Sequence, residues 1–310
     1  MRALVTGATG FVGGYLIAAL HEAGDETFPC GGPQDDHAFP LDLADSSAIR
    51  AALDLAQPDV VFHLAAQTFV PDSSASPQPT YEANVLGTAN VARAIREYGQ
   101  TARAPRLVFT SSAEVYGRQP DDAFPLKETA PLHPSNPYAA SKAAAEMLLA
   151  GEAASFGLDV VIARAFNHIG PGQNERFVVS SFASQLARIA RRETSILQVG
   201  NLSAKRDFLD VRDVVRAYVA LAKDGVSGET YNVCSGIAYP IRDVLRELIL
   251  AAHVPVEVRE DADRMRPSDT PLFVGDNTKL RAATGWEPQV PFRSSIREIY
   301  AAAASKLGAS

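Results

Sequence analysis

One stretch near the start constrains the fold more than any other. The apolar run Ala3–Thr6 leads at once into Gly7-Ala8-Thr9-Gly10-Phe11-Val12-Gly13, and an amphipathic stretch, Phe11–Ala23, begins inside that loop. A strand, a glycine loop and a helix in that order leave the chain few options. Gly7 permits a tight turn, Gly10 lets an anion approach the backbone, and Gly13 lets helix and strand pack closely. The helix start offers unpaired N–H groups and the positive end of its dipole. The expected occupant is the pyrophosphate of a dinucleotide, held by Gly7, Thr9, Gly10, Phe11 and Val12.

The first half of the chain continues in the same rhythm. Val60–Leu64, Leu107–Ser111 and Val160–Ala165 read as buried strands, while Ser46–Leu55, Tyr81–Tyr98 and Tyr138–Phe156 read as amphipathic helices. Alternation of this kind predicts an α/β fold with a Rossmann-type, doubly wound parallel sheet. After Phe166 the rhythm breaks on Pro, Gly and polar residues, and a smaller, mostly α substrate-binding lobe is expected there. Tyr231-Asn232-Val233 reads as one more strand of the first unit. The expected division is 1–166 with about 207–237 as the dinucleotide-binding domain, and 167–206 with 238–310 as the second lobe.

Composition narrows the function classes. The 310 residues carry a net charge of −7, which repels nucleic acid and anionic lipid and makes neither an expected partner. Two cysteines, Cys30 and Cys234, form no disulfide framework. Met1-Arg2 enters the first strand directly, with no secretory pattern before it, and no apolar run approaches a membrane span. The expectation is a cytoplasmic protein with no metal.

Tyr138-Ala139-Ala140-Ser141-Lys142 sets a phenol and an ammonium four residues apart, on one helix face. A free tyrosine has a pKa of about 10. Lys142, together with the charge of an oxidised nicotinamide, is expected to lower it so that Tyr138 exchanges a proton with a hydroxyl or ketone. Upstream, Thr110-Ser111-Ser112 ends a strand, where Ser112 can hydrogen-bond the same oxygen. Asp42 in Leu41-Asp42-Leu43, and Leu64-Ala65-Ala66 at another strand end, fit an adenine and ribose wall.

Gly7–Gly13, His63–Ala66, Ser111–Gly117 and Tyr138–Lys142 resemble the extended short-chain dehydrogenase/reductases over essentially the whole chain. The resemblance implies a catalytic triad of Ser112, Tyr138 and Lys142, with NADP(H) or NAD(H) as cofactor. It adds Leu43, Thr110 and Phe166 to the cofactor wall. Gln67–Pro71, Ala165–Gln173, Gly200–Phe208, Tyr231–Gly236 and Arg266–Asp269 are most similar to the branch that reduces a GDP-linked 4-keto-6-deoxy sugar. That likeness implies formation of GDP-D-rhamnose and a substrate wall of Gln67, Ser112, Glu114, Asn167, Arg206, Arg266 and Asp269. Asn167, Arg206 and Arg266 would hold the diphosphate, arginine matching phosphate with its planar fork of donors. A homodimer through the small residues of Tyr81–Tyr98 and Tyr138–Phe156 is also implied.

Two departures sharpen the expectation. Dehydratases of the family place an acid directly after the catalytic Ser or Thr, or rely on a neighbouring Glu; here Ala113 fills the first position and Glu114 remains. GDP-fucose synthases epimerise with a Cys and a His, and those positions hold Glu114 and Gly172. His168 reads as a packed loop residue. A GDP-6-deoxy-D-talose-forming reductase, another NDP-sugar 4-epimerase or 4,6-dehydratase, and a non-catalytic dinucleotide sensor stay open. So does the choice of cofactor: Phe28–Gln34 offers no acid or base for the adenosine ribose, and Asp35 and Asp36 only follow it.

Overall fold

In the computed structural model, which describes residues 1–32, 34, 38–264 and 270–308, the apolar runs become strands. The first half carries β1 (Arg2–Thr6), α1 (Phe11–Glu22), β2 (Glu26–Gly31), β3 (Phe39–Pro40), α2 (Ser46–Ala56), β4 (Val60–His63), α3 (Val70–Ala75), α4 (Pro77–Tyr81), α5 (Gly87–Tyr98), β5 (Arg106–Ser112), α6 (Pro137–Phe156) and β6 (Val160–Ala165). The second carries β7 (Asn167–Ile169), α7 (Val178–Ala190), β8 (Ile196–Val199), β9 (Lys205–Asp210), α8 (Val211–Asp224), β10 (Thr230–Val233), β11 (Ala238–Pro240), α9 (Ile241–Ala252), β12 (Glu257–Glu260), β13 (Leu272–Phe273), α10 (Thr278–Thr284) and α11 (Phe292–Lys306).

Seven strands form one parallel sheet in the order β3-β2-β1-β4-β5-β6-β10. Successive side chains go to opposite faces, so each strand feeds two cores. Val5, Phe62, Val108 and Val161 pack with Leu16 and Leu20 of α1 and Val215, Tyr218 and Leu221 of α8. Their neighbours Leu4, Val61, Leu107 and Val160 pack with Leu53 of α2, Ile95 of α5 and Leu149 of α6. Each such side chain contributes roughly 1.5–3 kcal/mol on burial. Tyr231–Val233 joins the sheet as β10, parallel to β6, as expected.

The order reverses between β1 and β4, which opens a crevice at the carboxyl ends of those strands. The second lobe stands over that edge. Its core comes from Phe182 and Leu186 of α7, Val244 and Leu248 of α9, and Ile296 and Ile299 of α11. The expected helices are therefore there, but short strands accompany them: β9 pairs with β7, β11 and β13, and β8 with β12. These run from two to six residues each, too short to leave a readable alternation. The 207–237 segment is shared, since β9 lies in the small sheet while α8 and β10 belong to the large one.

One helix differs from its expected form. Tyr81–Tyr98 is helical throughout, as expected, but not α throughout: a π-helical turn, Glu82–Leu86, lies between α4 and α5. Among the described residues no helix is long and apolar enough to cross a membrane, and no cluster of His, Cys, Asp and Glu suits a metal ion.

Candidate active site

The glycine loop closes on itself tightly. Gly7 has φ +69°, and a Cβ there would stand 2.8 Å from the Ala65 nitrogen at the end of β4. A Cβ on Gly13 would stand 2.5 Å from the Ala8 oxygen and closer still to that of Gly7. The start of α1 is bare: Gly10 caps it with no side-chain hydrogen bond, Thr9 and Gly10 are exposed, and Phe11 and Val12 are half-buried. Strand end, helix start and β4 end thus meet with no room for side chains and an open row of helix N–H groups. These residues fit a dinucleotide pyrophosphate.

Several of the residues expected to form the flanking wall have structural contacts of their own. Leu64, Ala65 and Ala66 are half-buried at the end of β4. Asp42 is exposed and accepts a hydrogen bond from the Ala44 nitrogen at 2.9 Å, so one of its oxygens closes a turn. Leu43 accepts at its carbonyl from Asn90 Nδ2 at 2.8 Å. Phe166 is buried, its ring tilted against that of Phe273 at 5.4 Å between centroids, and it donates its N–H to the Val233 carbonyl. It lines the floor and brings no polar side chain.

Helix α6 carries the residues expected to form the acid–base group. Asn136 caps it by accepting from the Ala139 nitrogen at 2.8 Å, and Pro137 opens its first turn, so Tyr138 and Lys142 enter the core one turn apart. Both are buried, as is Ser112 at the end of β5. The Lys142 ammonium donates to the Thr110 carbonyl at 2.8 Å and lies 4.8 Å from the centre of the Phe109 ring. Thr110 in turn donates its hydroxyl to the His63 carbonyl at 3.0 Å.

The electrostatics correct one expectation. In the ligand-free chain Lys142 does not lower Tyr138. Burial pushes the phenol up to about 12, a hydrogen bond with Ser112 opposes this, and the charge of Glu114 adds to it. Burial also brings Lys142 down to about 8, with Glu146 opposing. The result is a phenol that stays protonated at neutral pH beside a lysine poised to lose its charge just above it. His63 is buried and driven down to about 3, first by burial and then by Lys142. It is a neutral bridge between Thr6 at 2.8 Å and Thr88 at 3.1 Å.

The substrate wall is partly assembled. Gln67 donates from Nε2 to the Phe69 carbonyl at 2.9 Å, which leaves its Oε1 buried and without a partner among the described residues. Glu114 accepts from Asn136 Nδ2 at 3.3 Å. Asn167, half-buried on β7, donates to the Asp207 carbonyl at 3.3 Å. Arg206 on β9 donates from Nη1 to the carbonyls of Thr270 at 2.7 Å and Lys205 at 2.9 Å. Arg266 and Asp269 lie outside the described residues, as do Asp35 and Asp36. His168 stacks on Phe11 at 6.2 Å between centroids; it is packed as expected, but it sits in strand β7, paired with Leu209 of β9, and not in a loop.

Sequence reasoning missed two groups. Asn84, in the π-turn, donates to the Gln67 carbonyl at 3.0 Å and to the Ser141 hydroxyl at 2.9 Å, tying the end of β4 to α6. The π insertion shifts the helical register, so periodicity does not point to this residue. The second is a half-exposed clasp between the lobes. Arg176 pairs with Asp72 at 2.7 Å and lies over the Phe69 ring at 3.8 Å, while Phe69 meets Phe177 edge-on at 6.0 Å.

Residues 4–299 match the family model described as GDP-mannose 4,6 dehydratase. The chain is 39% identical to the GDP-6-deoxy-D-mannose reductase of Pseudomonas aeruginosa, over 96% of this chain and 95% of that protein. It is 31% identical to the GDP-6-deoxy-D-talose 4-dehydrogenase of Aggregatibacter actinomycetemcomitans, over 97% of each. Among solved structures, that of RMD from Pseudomonas aeruginosa complexed with NADPH superposes with a TM-score of 0.87 at 37% identity, covering 99% of this chain and 100% of the other. With a dinucleotide crevice and a Ser-Tyr-Lys group in place, the chain belongs to the GDP-mannose 4,6-dehydratase family within the extended short-chain dehydrogenase/reductases.

Proposed function

We propose that the protein is an NAD(P)H-dependent reductase of GDP-4-keto-6-deoxy-D-mannose and that it forms GDP-D-rhamnose. The observation that carries this reading is the end-to-end likeness to the Pseudomonas reductase, joined to a tyrosine that burial keeps protonated, as the acid of a reduction must be. Gly7–Val12, Asp42, Leu43 and Leu64–Ala66 would hold the dinucleotide, and Lys142 its nicotinamide ribose. When bound, NAD(P)H supplies the electron pair and hydrogen that C4 of the sugar takes up. NADPH, the ligand of the Pseudomonas structure, is the form to test first.

The chain's own part is proton delivery and charge control. Ser112 hydrogen-bonds the ketone oxygen, and Tyr138 gives it the phenolic proton as negative charge develops there. Lys142, still an ammonium below about pH 8, offsets the phenolate left behind. Burial of all three excludes water from this step. Asn167, Arg206 and Arg266 would hold the diphosphate, and Gln67, Glu114 and Asp269 would bind the sugar and nucleotide. Ala113 after Ser112, and a Glu114 already engaged by Asn136, disfavour dehydration.

Residues 1–166 with α8, β10 and α10 act as the dinucleotide domain, and the remainder, β9 included, as the nucleotide-sugar lobe. The protein works in the cytoplasm as a homodimer through α5 and α6, whose outer sides, with the adjoining turn, leave Leu86 59% and Met147 60% exposed. The likeness to the talose dehydrogenase favours one second reading, reduction to the opposite C4 configuration, GDP-6-deoxy-D-talose.

Calorimetry with free nucleotides tests the substrate class. A pocket that reads guanine leaves polar groups unpaired when another base enters, at about 1–3 kcal/mol each. GDP is therefore expected to bind at least roughly tenfold tighter than UDP or dTDP, since about 1.4 kcal/mol is one decade. Equal affinities, or a preference for dTDP, refute a GDP-sugar substrate.

A further inference from the structure

Helix α6 carries a second buried charged residue besides Lys142. Glu146 lies one further turn along the same helix and is 1% exposed. Its carboxylate accepts from Arg164 of β6 through Nε, at 3.0 and 3.2 Å, and through Nη2 at 2.6 Å. It also accepts from the Ser111 hydroxyl at 2.5 Å. Arg164 extends the network from Nη1 to the Tyr116 hydroxyl at 3.0 Å and the Glu128 carbonyl at 3.1 Å. Tyr116 then donates to Asn232 Oδ1 on β10 at 2.7 Å.

This network joins the elements that carry the reacting groups. Ser111 precedes Ser112 on β5, and Tyr116 ends the 3-10 turn, Ala113–Tyr116, that follows it. Glu146 shares α6 with Tyr138 and Lys142. A buried ion pair of this kind contributes little net stability, because desolvation offsets the attraction. Packing alone is a weak reason for its presence.

We infer that Glu146 is a positioning residue: it fixes α6 against β5, and so Tyr138 against Ser112, and supplies the negative charge that offsets the buried Lys142 ammonium. The inference rests on the reduction proposed above. The surroundings of Lys142 agree with it. Thr110 and Phe109 of β5 offer a carbonyl and a ring face, while His63 of β4 is neutral. Tyr138 is protonated, and Glu146 is the group that opposes the effect of burial on Lys142. Arg164 holds the carboxylate in place through three hydrogen bonds, its own guanidinium kept charged by the same pair.

The test is the titration of Lys142 in ligand-free protein, read from the 13Cε shift of labelled lysine and assigned with Lys142→Arg. In Glu146→Gln the midpoint should move to lower pH by about one unit or more. The alkaline limb of kcat/KM should move with it. An unmoved midpoint, with only a lowered Tm, overturns the electrostatic half. Should Glu146→Gln fail to fold, Glu146→Gln/Arg164→Gln removes both charges and leaves neither unpaired; an acidward movement is still expected, smaller because the Arg164 cation goes too, and an alkaline movement is fatal. Ser111→Ala leaves the charges and removes the tie to β5: kcat should fall several-fold with the alkaline limb unmoved, and an unchanged kcat overturns the bracing half. The NMR titration needs no substrate. A chain that shows the shift yet leaves the GDP-sugar unreduced therefore refutes the proposed reaction and not the role of Glu146 beside Lys142.

Discussion

Replacing Gly13 by alanine tests whether the glycine loop is built for a dinucleotide, and Gly14 provides an internal control. A Cβ on Gly13 would stand 2.5 Å from the Ala8 oxygen and nearer the Gly7 oxygen, both backbone, so no side chain can swing aside. Overpacking of this kind costs about 1–3 kcal/mol. Better helix propensity returns roughly 0.5–1 kcal/mol, leaving a net loss of roughly 0.5–2 kcal/mol. The strain is relieved only by moving the Gly7–Ala8 loop off its pyrophosphate position, so NADPH should bind at least roughly tenfold more weakly, one decade being about 1.4 kcal/mol. Gly14 is exposed, with nothing within 4 Å of a new Cβ. Gly14→Ala should gain roughly 0.5–1 kcal/mol of stability and leave affinity unchanged. Urea unfolding and fluorescence titration with NADPH measure both. Wild-type affinity in Gly13→Ala, or equal harm from Gly14→Ala, refutes the reasoning.

Three further outcomes are expected. Tyr138→Phe should cost about 10²–10⁴ in kcat while dinucleotide affinity is nearly kept, and the loss should exceed that of Ser112→Ala; near-normal turnover in steady-state assays contradicts the assignment. Because kcat/KM reports the free enzyme and Lys142 loses its proton near about 8, kcat/KM should fall as pH rises through about 8, and a flat profile to pH 9.5 would rule out an ammonium requirement. His63 is held down to about 3 in the fold against about 6.5 when unfolded, so the unfolded chain takes up a proton that the fold refuses. Stability from this group is complete above about 6.5 and falls by up to about 1.4 kcal/mol for each unit below it; urea unfolding at pH 7 and 5.5 should show the loss, and His63→Gln should reduce it.

What the sequence made legible follows from where its signals are local. Val160–Ala165 was readable as a strand because all six residues are buried in a parallel sheet between two helical layers. Gly7 and Gly13 were readable because a tight turn and close packing require glycine, and Tyr138 and Lys142 because helix spacing alone sets them one turn apart. Asn84 was not, since a π-turn breaks the register that periodicity depends on. Arg164 and Glu146 pair across 18 residues, through a contact of α6 with β6 that no local pattern encodes. The sign of the Tyr138 shift was also hidden: spacing places Lys142 on the right face, but burial, set by the whole fold, outweighs it. The strands around β9 are short and pair with distant segments, so the second lobe was legible only in its helices.

The most direct measurement of the central claim is incubation with GDP-4-keto-6-deoxy-D-mannose and NADPH, or NADH, followed by proton NMR of the product. The expected result is stoichiometric oxidation of the dinucleotide and a C4 hydroxyl in the configuration of GDP-D-rhamnose. GDP-6-deoxy-D-talose would contradict the stated stereochemistry, and unconsumed dinucleotide with unchanged keto-sugar would contradict the reductase itself.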